Sequence, residues 1–118
     1  LTIVRMVLVV APNPGLRKSL EFALEAEGYG VDSQADLARA IASPINPEIR
    51  CAVVDEDAVR DRTKGWNDLA RFPRPVILLV DRPWPSPEPD GVVILVKPLL
   101  GNALIEAVEQ AIANGIAV

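Results

Sequence analysis

The sequence predicts an α/β domain in which helices cover both faces of a parallel sheet. Strand-sized apolar runs recur along the chain: VLVV at 7–10, CAVV at 51–54, PVILLV at 75–80 and VVILV at 92–96. They lack the polar alternation of a half-solvated strand, so each reads as buried on both faces. Segments with helical spacing separate most of them, and strands alternating with helices make a parallel sheet with crossover connections. At 118 residues the chain has the length of one domain, 1–118, large enough for a single core.

The elements follow in order. Val7–Val10 is the first strand. Asn13 then reads as an N-cap with Pro14 at the first helical position, where its fixed φ suits the helix and its missing N–H costs nothing. Leu16, Leu20, Ala23 and Leu24 form the apolar face of that helix, and Gly28 is its stop. Tyr29-Gly30-Val31 gives a short second strand, and Asp32 or Ser33 caps a second helix with Ala35, Leu37, Ala38, Ile41 and Ala42 inward. Pro44 ends that helix, and 43–50 is loop. Cys51–Val54 is the third strand, closed by Asp55-Glu56-Asp57. The polar stretch Val59–Lys64 leads to a short helix over Gly65–Phe72, with Trp66 packing beside Leu69. Pro75–Val80 and Val92–Val96 are strands four and five. The last helix covers roughly Gly101–Ala113, with Leu104, Ile105, Val108 and Ile112 inward.

Between strands four and five the repeat is interrupted. Asp81–Gly91 reads DRPWPSPEPDG, with proline at 83, 85, 87 and 89. Each proline removes an amide donor and disfavours the helical region for the residue before it. A helix is therefore excluded here, and the expectation is an extended, polyproline-like, exposed loop carrying Trp84 as an exposed indole.

Composition removes several function classes. No histidine is present, so His-based acid–base work, His metal ligation and phosphohistidine chemistry are absent. The net charge of −4 comes with no Lys/Arg cluster, which argues against nucleic acid binding. No apolar run approaches a membrane span, and no secretory signal pattern is visible. The lone Cys51 excludes an internal disulfide and fits a reducing compartment, and with no partner base it reads as a small core residue. These features predict a soluble, cytoplasmic domain. The chain opens on Leu1 rather than Met, as a piece of a longer chain would. Neither a phosphate-cradling glycine motif nor a nucleophile–base pair is present, so no enzyme activity is expected.

The stretches VLVVAPNPGLRKSLEFALEAEGYGV at 7–31, CAVVDED at 51–57, PVILLV at 75–80 and VVILVKPL at 92–99 together resemble the response-regulator receiver domain, the CheY-like module of two-component phosphorelay signalling. The resemblance covers nearly the whole chain. It implies a flavodoxin-like three-layer sandwich around a five-stranded parallel sheet, with the fourth helix replaced here by the Pro-rich loop. In such receivers two acids after strand one hold Mg²⁺, an aspartate after strand three accepts phosphate, and a lysine after strand five contacts it. A hydroxyl after strand four and an aromatic on strand five then move with the phosphate. By position, Asp55 matches the phosphoacceptor and Lys97 the lysine. The acidic pair falls on Ala11 and Pro12, the hydroxyl on Val80 and the aromatic on Ile94.

These departures have chemical weight. Mg²⁺ needs near-octahedral oxygen ligands, usually with one or two carboxylates among them, and Ala11 and Pro12 supply none. Val80 keeps the shape of threonine without a hydrogen to donate, and Ile94 has no phenol tip. The resemblance is therefore to a degenerate receiver, a pseudo-receiver in which no metal or other cofactor is expected and Asp55 pairs with Lys97. It implies a regulatory protein-interaction module whose partner is a signalling protein such as a histidine kinase or an attached output domain. A homodimer is also open, and neither nucleic acid nor membrane is expected as a partner. The expected surface is the last helix with strand five and the Pro/Trp loop, Trp84 being the anchor. Two alternatives stay open. One is a working phosphoacceptor at Asp55. The other is a domain responsive to a small ligand or ion, for instance a looser metal site built from Asp55, Asp57 and Asp81.

Overall fold

A computed structural model of the chain describes residues 5–42, 47–59, 62–70, 72–82, 84, 89–99 and 101–116. The elements in order are β1 (Met6–Val10), α1 (Pro14–Ala26), β2 (Gly30–Gln34), α2 (Leu37–Ala42), β3 (Ile49–Asp55), a 3₁₀ turn (Glu56–Ala58), α3 (Arg62–Ala70), β4 (Val76–Val80), β5 (Val92–Val96) and α4 (Ala103–Ile116). The sheet runs β2-β1-β3-β4-β5, and every neighbouring pair is parallel. This is the flavodoxin-like order, with β2 and β5 at the edges.

Alternation along the strands divides the interior into two layers. Val7, Val9, Cys51, Val53, Ile77 and Leu79 point to the face covered by α1 and α4, where Leu20, Leu24, Leu104 and Val108 meet them. Leu8, Val10, Ala52, Val54, Leu78 and Val80 point to the opposite face, against Leu37, Ala40, Leu69 and Trp84. The uninterrupted apolar runs are explained by this double covering.

The first helix forms as its sequence directs. The side-chain oxygen of Asn13 accepts from the Leu16 amide at 3.0 Å, and Pro14 occupies the first turn. At the other end Gly28 takes φ 92°. Its amide donates to the Glu25 carbonyl, and the Tyr29 amide to the Leu24 carbonyl, which together form a Schellman stop.

Several boundaries differ from expectation, among them β3, which starts at Ile49 inside the expected 43–50 loop and runs to Asp55. β2 continues through Asp32 and Ser33, so neither caps a helix. The Ser33 hydroxyl instead donates to Glu21 on α1, and Asp36 caps α2 by accepting from the Ala38 amide at 2.8 Å. Ala35 lies outside α2 and Ala38 is exposed. The third helix begins at Arg62 rather than Gly65, preceded by the 3₁₀ turn, and the last helix runs on to Ile116. Pro44 as a helix stop lies outside the described residues, as do 83 and 85–88 of the proline segment. Among the described residues no helix lies between β4 and β5.

Candidate functional site

The carboxyl ends of the parallel strands bring the candidate residues together. Val10 aligns with Val54, Asp55 with Leu79, and Val80 with Val96. Residues 11, 55, 81 and 97 therefore sit along one edge of the sheet, where ligands of open α/β folds bind. The Ala11 amide donates to the Gln34 carbonyl at 3.0 Å and the Lys97 amide to the Val80 carbonyl at 2.7 Å, so the ladder carries one residue past the strands.

Asp55 is fully buried. Its Oδ1 accepts from Lys97 Nζ at 2.7 Å, and its Oδ2 accepts from the Asp57 amide at 3.1 Å, which caps the 3₁₀ turn. Both oxygens are thus engaged by the protein itself. Lys97 also approaches the exposed Asp81, with Nζ 3.6 Å from Oδ1. Burial works against the Lys97 ammonium. The hydrogen bond and charge of Asp55, with the charges of Asp81 and Glu56, outweigh it and hold the pKa above the ordinary lysine value. The peptide bond from Lys97 to Pro98 is cis.

Positions 11 and 12 at this edge carry no carboxylate. Ala11 is fully buried and its methyl group belongs to the core, while Pro12 is exposed. Their carbonyl oxygens point to Arg17, whose Nη1 donates to Ala11 O at 2.7 Å and to Pro12 O at 3.3 Å. A guanidinium from α1 therefore stands against the oxygens of this turn. The donor set does not fit Mg²⁺: a methyl group and a pyrrolidine ring stand at 11 and 12, their carbonyls face a cation, and both oxygens of the buried Asp55 carboxylate are engaged by Lys97 and a backbone amide. Among the described residues no group of three acidic, histidine or cysteine side chains is arranged to hold a metal, and Asp55, Asp57 and Asp81 form none.

Sequence reasoning missed Glu56. Its carboxylate is buried and accepts from the Asp81 amide and, at 3.3 Å, from Trp84 Nε1. Its partners lie 25 and 28 residues away, so no local pattern could announce it. Arg17 was missed as well. Its place one turn after Pro14 was the available signal, since such a side chain can reach back over the helix start.

The expectation for Trp84 is corrected. The indole is not an exposed anchor: it is 5% exposed, inside the same apolar cluster as Val59, Val80 and Leu69. It packs edge-on against Trp66, ring centres 4.9 Å apart, and lies over Gly65, where a Cβ would come within 2.9 Å of the ring. An indole buries a large apolar area and needs a partner for its N–H, and Glu56 supplies that partner. Val80 is fully buried in this cluster, and Ile94 packs against it half-buried. Burial pushes the Cys51 thiol up to about 12, so the group stays neutral and inert.

No family model matches the chain. It is 33% identical over 109 residues to the transcriptional regulator protein FixT of Rhizobium meliloti strain 1021, covering 92% of this chain and 93% of that one. Among solved structures it is similar to a response regulator receiver protein from Sinorhizobium medicae WSM419, with TM-score 0.76 and 23% identity over 95% of this chain and 97% of the other. It is similar too to the chemotaxis protein CheY4 of Vibrio cholerae, with TM-score 0.72 and 20% identity over 92% and 98%. A sheet of this order, with an aspartate and a lysine paired at its carboxyl edge, and a regulator a third identical along nearly its full length lead to one assignment. The chain belongs to the family of the FixT regulator and has the fold of the CheY-like response-regulator receiver domain.

Proposed function

We propose that this domain acts in two-component signalling as a phosphorylation-independent receiver, a regulatory module that works by protein recognition and catalyses nothing itself. The observation that carries the reading is the 2.7 Å contact between Lys97 Nζ and Asp55 Oδ1, in a pocket whose acidic pair has become Ala11 and Pro12. Phosphoryl transfer relies on cations that neutralise the transferred group. With no metal fitting the site, Lys97 would have to leave Asp55 to serve a phosphoryl group, and Asp81 and Glu56 add negative charge beside it. The pre-formed ion pair keeps the carboxyl edge in one state.

The partner is a signalling protein, a histidine kinase or an output domain, met in the cytoplasm. That the FixT relative is a transcriptional regulator supports this setting. Among the described residues no helix is long and apolar enough to cross a membrane. With Trp84 buried, the recognition surface is α4 together with β5, whose Val93 and Val96 are exposed at the sheet edge. An apolar edge strand without charge or proline is a ready pairing site.

The test is intact mass after incubation with acetyl phosphate and Mg²⁺. No added phosphoryl group is expected. A stoichiometric shift that disappears in Asp55→Ala would replace this reading with that of a working phosphoacceptor. Thermal shift against Mg²⁺, Ca²⁺ and phosphate is expected to stay flat, whereas a rise would favour an ion-responsive domain, since a ligand of the folded state raises stability.

A further inference from the structure

The amino ends of β3, β4 and β5 border a cavity of about 550 Å³. Leu69 of α3 and Phe72 just beyond it give apolar surface on one side, and Ile112 of α4 on the other. The charged groups of the lining are Arg50, Arg74 and Asp90. Arg50 and Asp55 stand near opposite ends of β3, about 16 Å apart at a strand rise of about 3.3 Å per residue, so this is not the edge that holds Lys97. The backbone is irregular where it meets the cavity. Met6 aligns with Ile49 but Val7 with Cys51, so Arg50 is an extra residue of β3, a bulge against β1. A bulge re-aims the side chain that it carries. Ile49 joins the apolar cluster on one face and Cys51 the cluster on the other, and Arg50 enters neither. Ile49 also anchors the second arginine: its carbonyl accepts from Arg74 Nε at 3.0 Å, and the Pro73 carbonyl accepts from Arg74 Nη1 at 2.9 Å. Two carbonyls thus fix the Arg74 guanidinium in advance, and its Nη2 makes no hydrogen bond among the described residues. Among the described residues neither arginine forms an ion pair.

We propose that this cavity binds a small organic carboxylate, its carboxyl group held by Arg74 and Arg50 and its apolar body laid against Leu69, Phe72 and Ile112. Geometry, charge and polarity select that class. A planar guanidinium fork matches a carboxylate, and Arg74 is oriented before the ligand arrives, so little side-chain freedom is left to lose. Two arginines against one aspartate leave a net charge of +1 in the lining, which a single carboxylate balances and a doubly charged phosphate exceeds. The apolar surface calls for a hydrocarbon part rather than a bare ion, and the volume lies in the range of small-molecule sites. The proposal goes beyond protein recognition at α4 and β5 and is independent of the chemistry at Asp55.

Titration of the isotope-labelled chain with benzoate, phenylacetate and hexanoate, read by amide NMR shifts, tests it. Benzamide and inorganic phosphate serve as comparison arms. Saturable shifts at Arg50, Arg74 and Gly91 are expected with at least one of the carboxylates in the millimolar range, and none with benzamide. Arg74→Gln and Arg50→Gln are each expected to weaken binding by roughly tenfold or more, the effect of losing a hydrogen bond to a charged group. Thermal melting controls for folding, and Arg50→Gln is expected to melt as wild type because that side chain is exposed. Asp90→Asn is expected to tighten binding, since it removes the negative charge from the lining. No saturable shift with any of the carboxylates overturns the proposal. So does binding that both arginine variants leave unchanged, or phosphate bound there in place of the carboxylates. Shifts confined to residues around Lys97 also overturn it, since the ligand would then belong to the carboxyl edge. None of these results touches the phosphorylation-independent reading, which the mass measurement decides.

Discussion

Asp55 and Lys97 illustrate how one pair can hold a site in a fixed state. A carboxylate that is fully buried is tolerable only while its charge is met, and Lys97 meets it at 2.7 Å. Lys97→Met is therefore expected to destabilise the domain by about 3 kcal/mol, the lower end for breaking a buried pair because the lysine side chain keeps 19% exposure. Adding Asp55→Asn is expected to recover most of that loss, since the charge needing a partner is then gone. Urea denaturation checks both, and a single variant as stable as wild type would mean that the pair holds nothing. The pH dependence has a definite sign. The Lys97 pKa lies above its ordinary 10.5 in the folded chain, so its contribution is complete below that pH and is lost as pH rises through the folded value. The Cys51 thiol is raised from 9.0 to about 12, so the unfolded chain ionises first and stability falls as pH passes 9. Both effects act in the same direction. The melting temperature is expected to decline from about pH 9 upward, with the early part of the decline missing in Cys51→Ala.

At the level of elements, α3 and the segment after β4 depend on each other. Gly65 lies inside α3, where glycine is a poor helix former, yet a Cβ there would meet Val59 Cγ1 at 2.8 Å and the Trp84 ring at 2.9 Å. Gly65→Ala is accordingly expected to destabilise by about 1–3 kcal/mol through overpacking, against the roughly 1 kcal/mol that propensity alone would gain. Trp84→Ala is expected to cost about 3–5 kcal/mol and to abolish the near-ultraviolet circular dichroism of the Trp66–Trp84 pair. A stabilised Gly65→Ala would contradict the close packing described. The strands and α1 were legible in the sequence because their signals are local: apolar runs, the Asn13-Pro14 start and the Gly28 stop. The start of α2 was not. Asp32, Ser33 and Asp36 are all capping residue types, and only the pairing of β2 with β1 through Val10 and Gln34 decides that the strand outlasts the first two.

For the whole molecule, the question is whether the receiver frame could still carry a metal if its donors were returned. Installing Ala11→Asp and Pro12→Asp together is expected to lower stability in the absence of metal, because Ala11 is fully buried in an apolar cluster where a carboxylate is costly. Mg²⁺ is then expected to raise the melting temperature of that variant and to leave the wild type unchanged, since only the variant offers the ligands. Calorimetric titration of both proteins checks this. Magnesium uptake by the wild type would show that the turn around Arg17 can open to expose its carbonyls.

The sequence alone determined the layer architecture, the strand count and the positions of Asp55 and Lys97, because buried parallel strands and helix ends are written in neighbouring residues. It also showed that the side chains at 11, 12, 80 and 94 carry no oxygen, since an absent donor needs no structure to be noticed. Only the tertiary structure decided that Trp84 is inside, that Glu56 holds it, that Arg17 covers the first turn, and that Phe22 is left exposed to solvent. Each of these depends on groups brought together across the fold, or on which face the packing leaves to solvent. A chain read residue by residue carries no record of those distances.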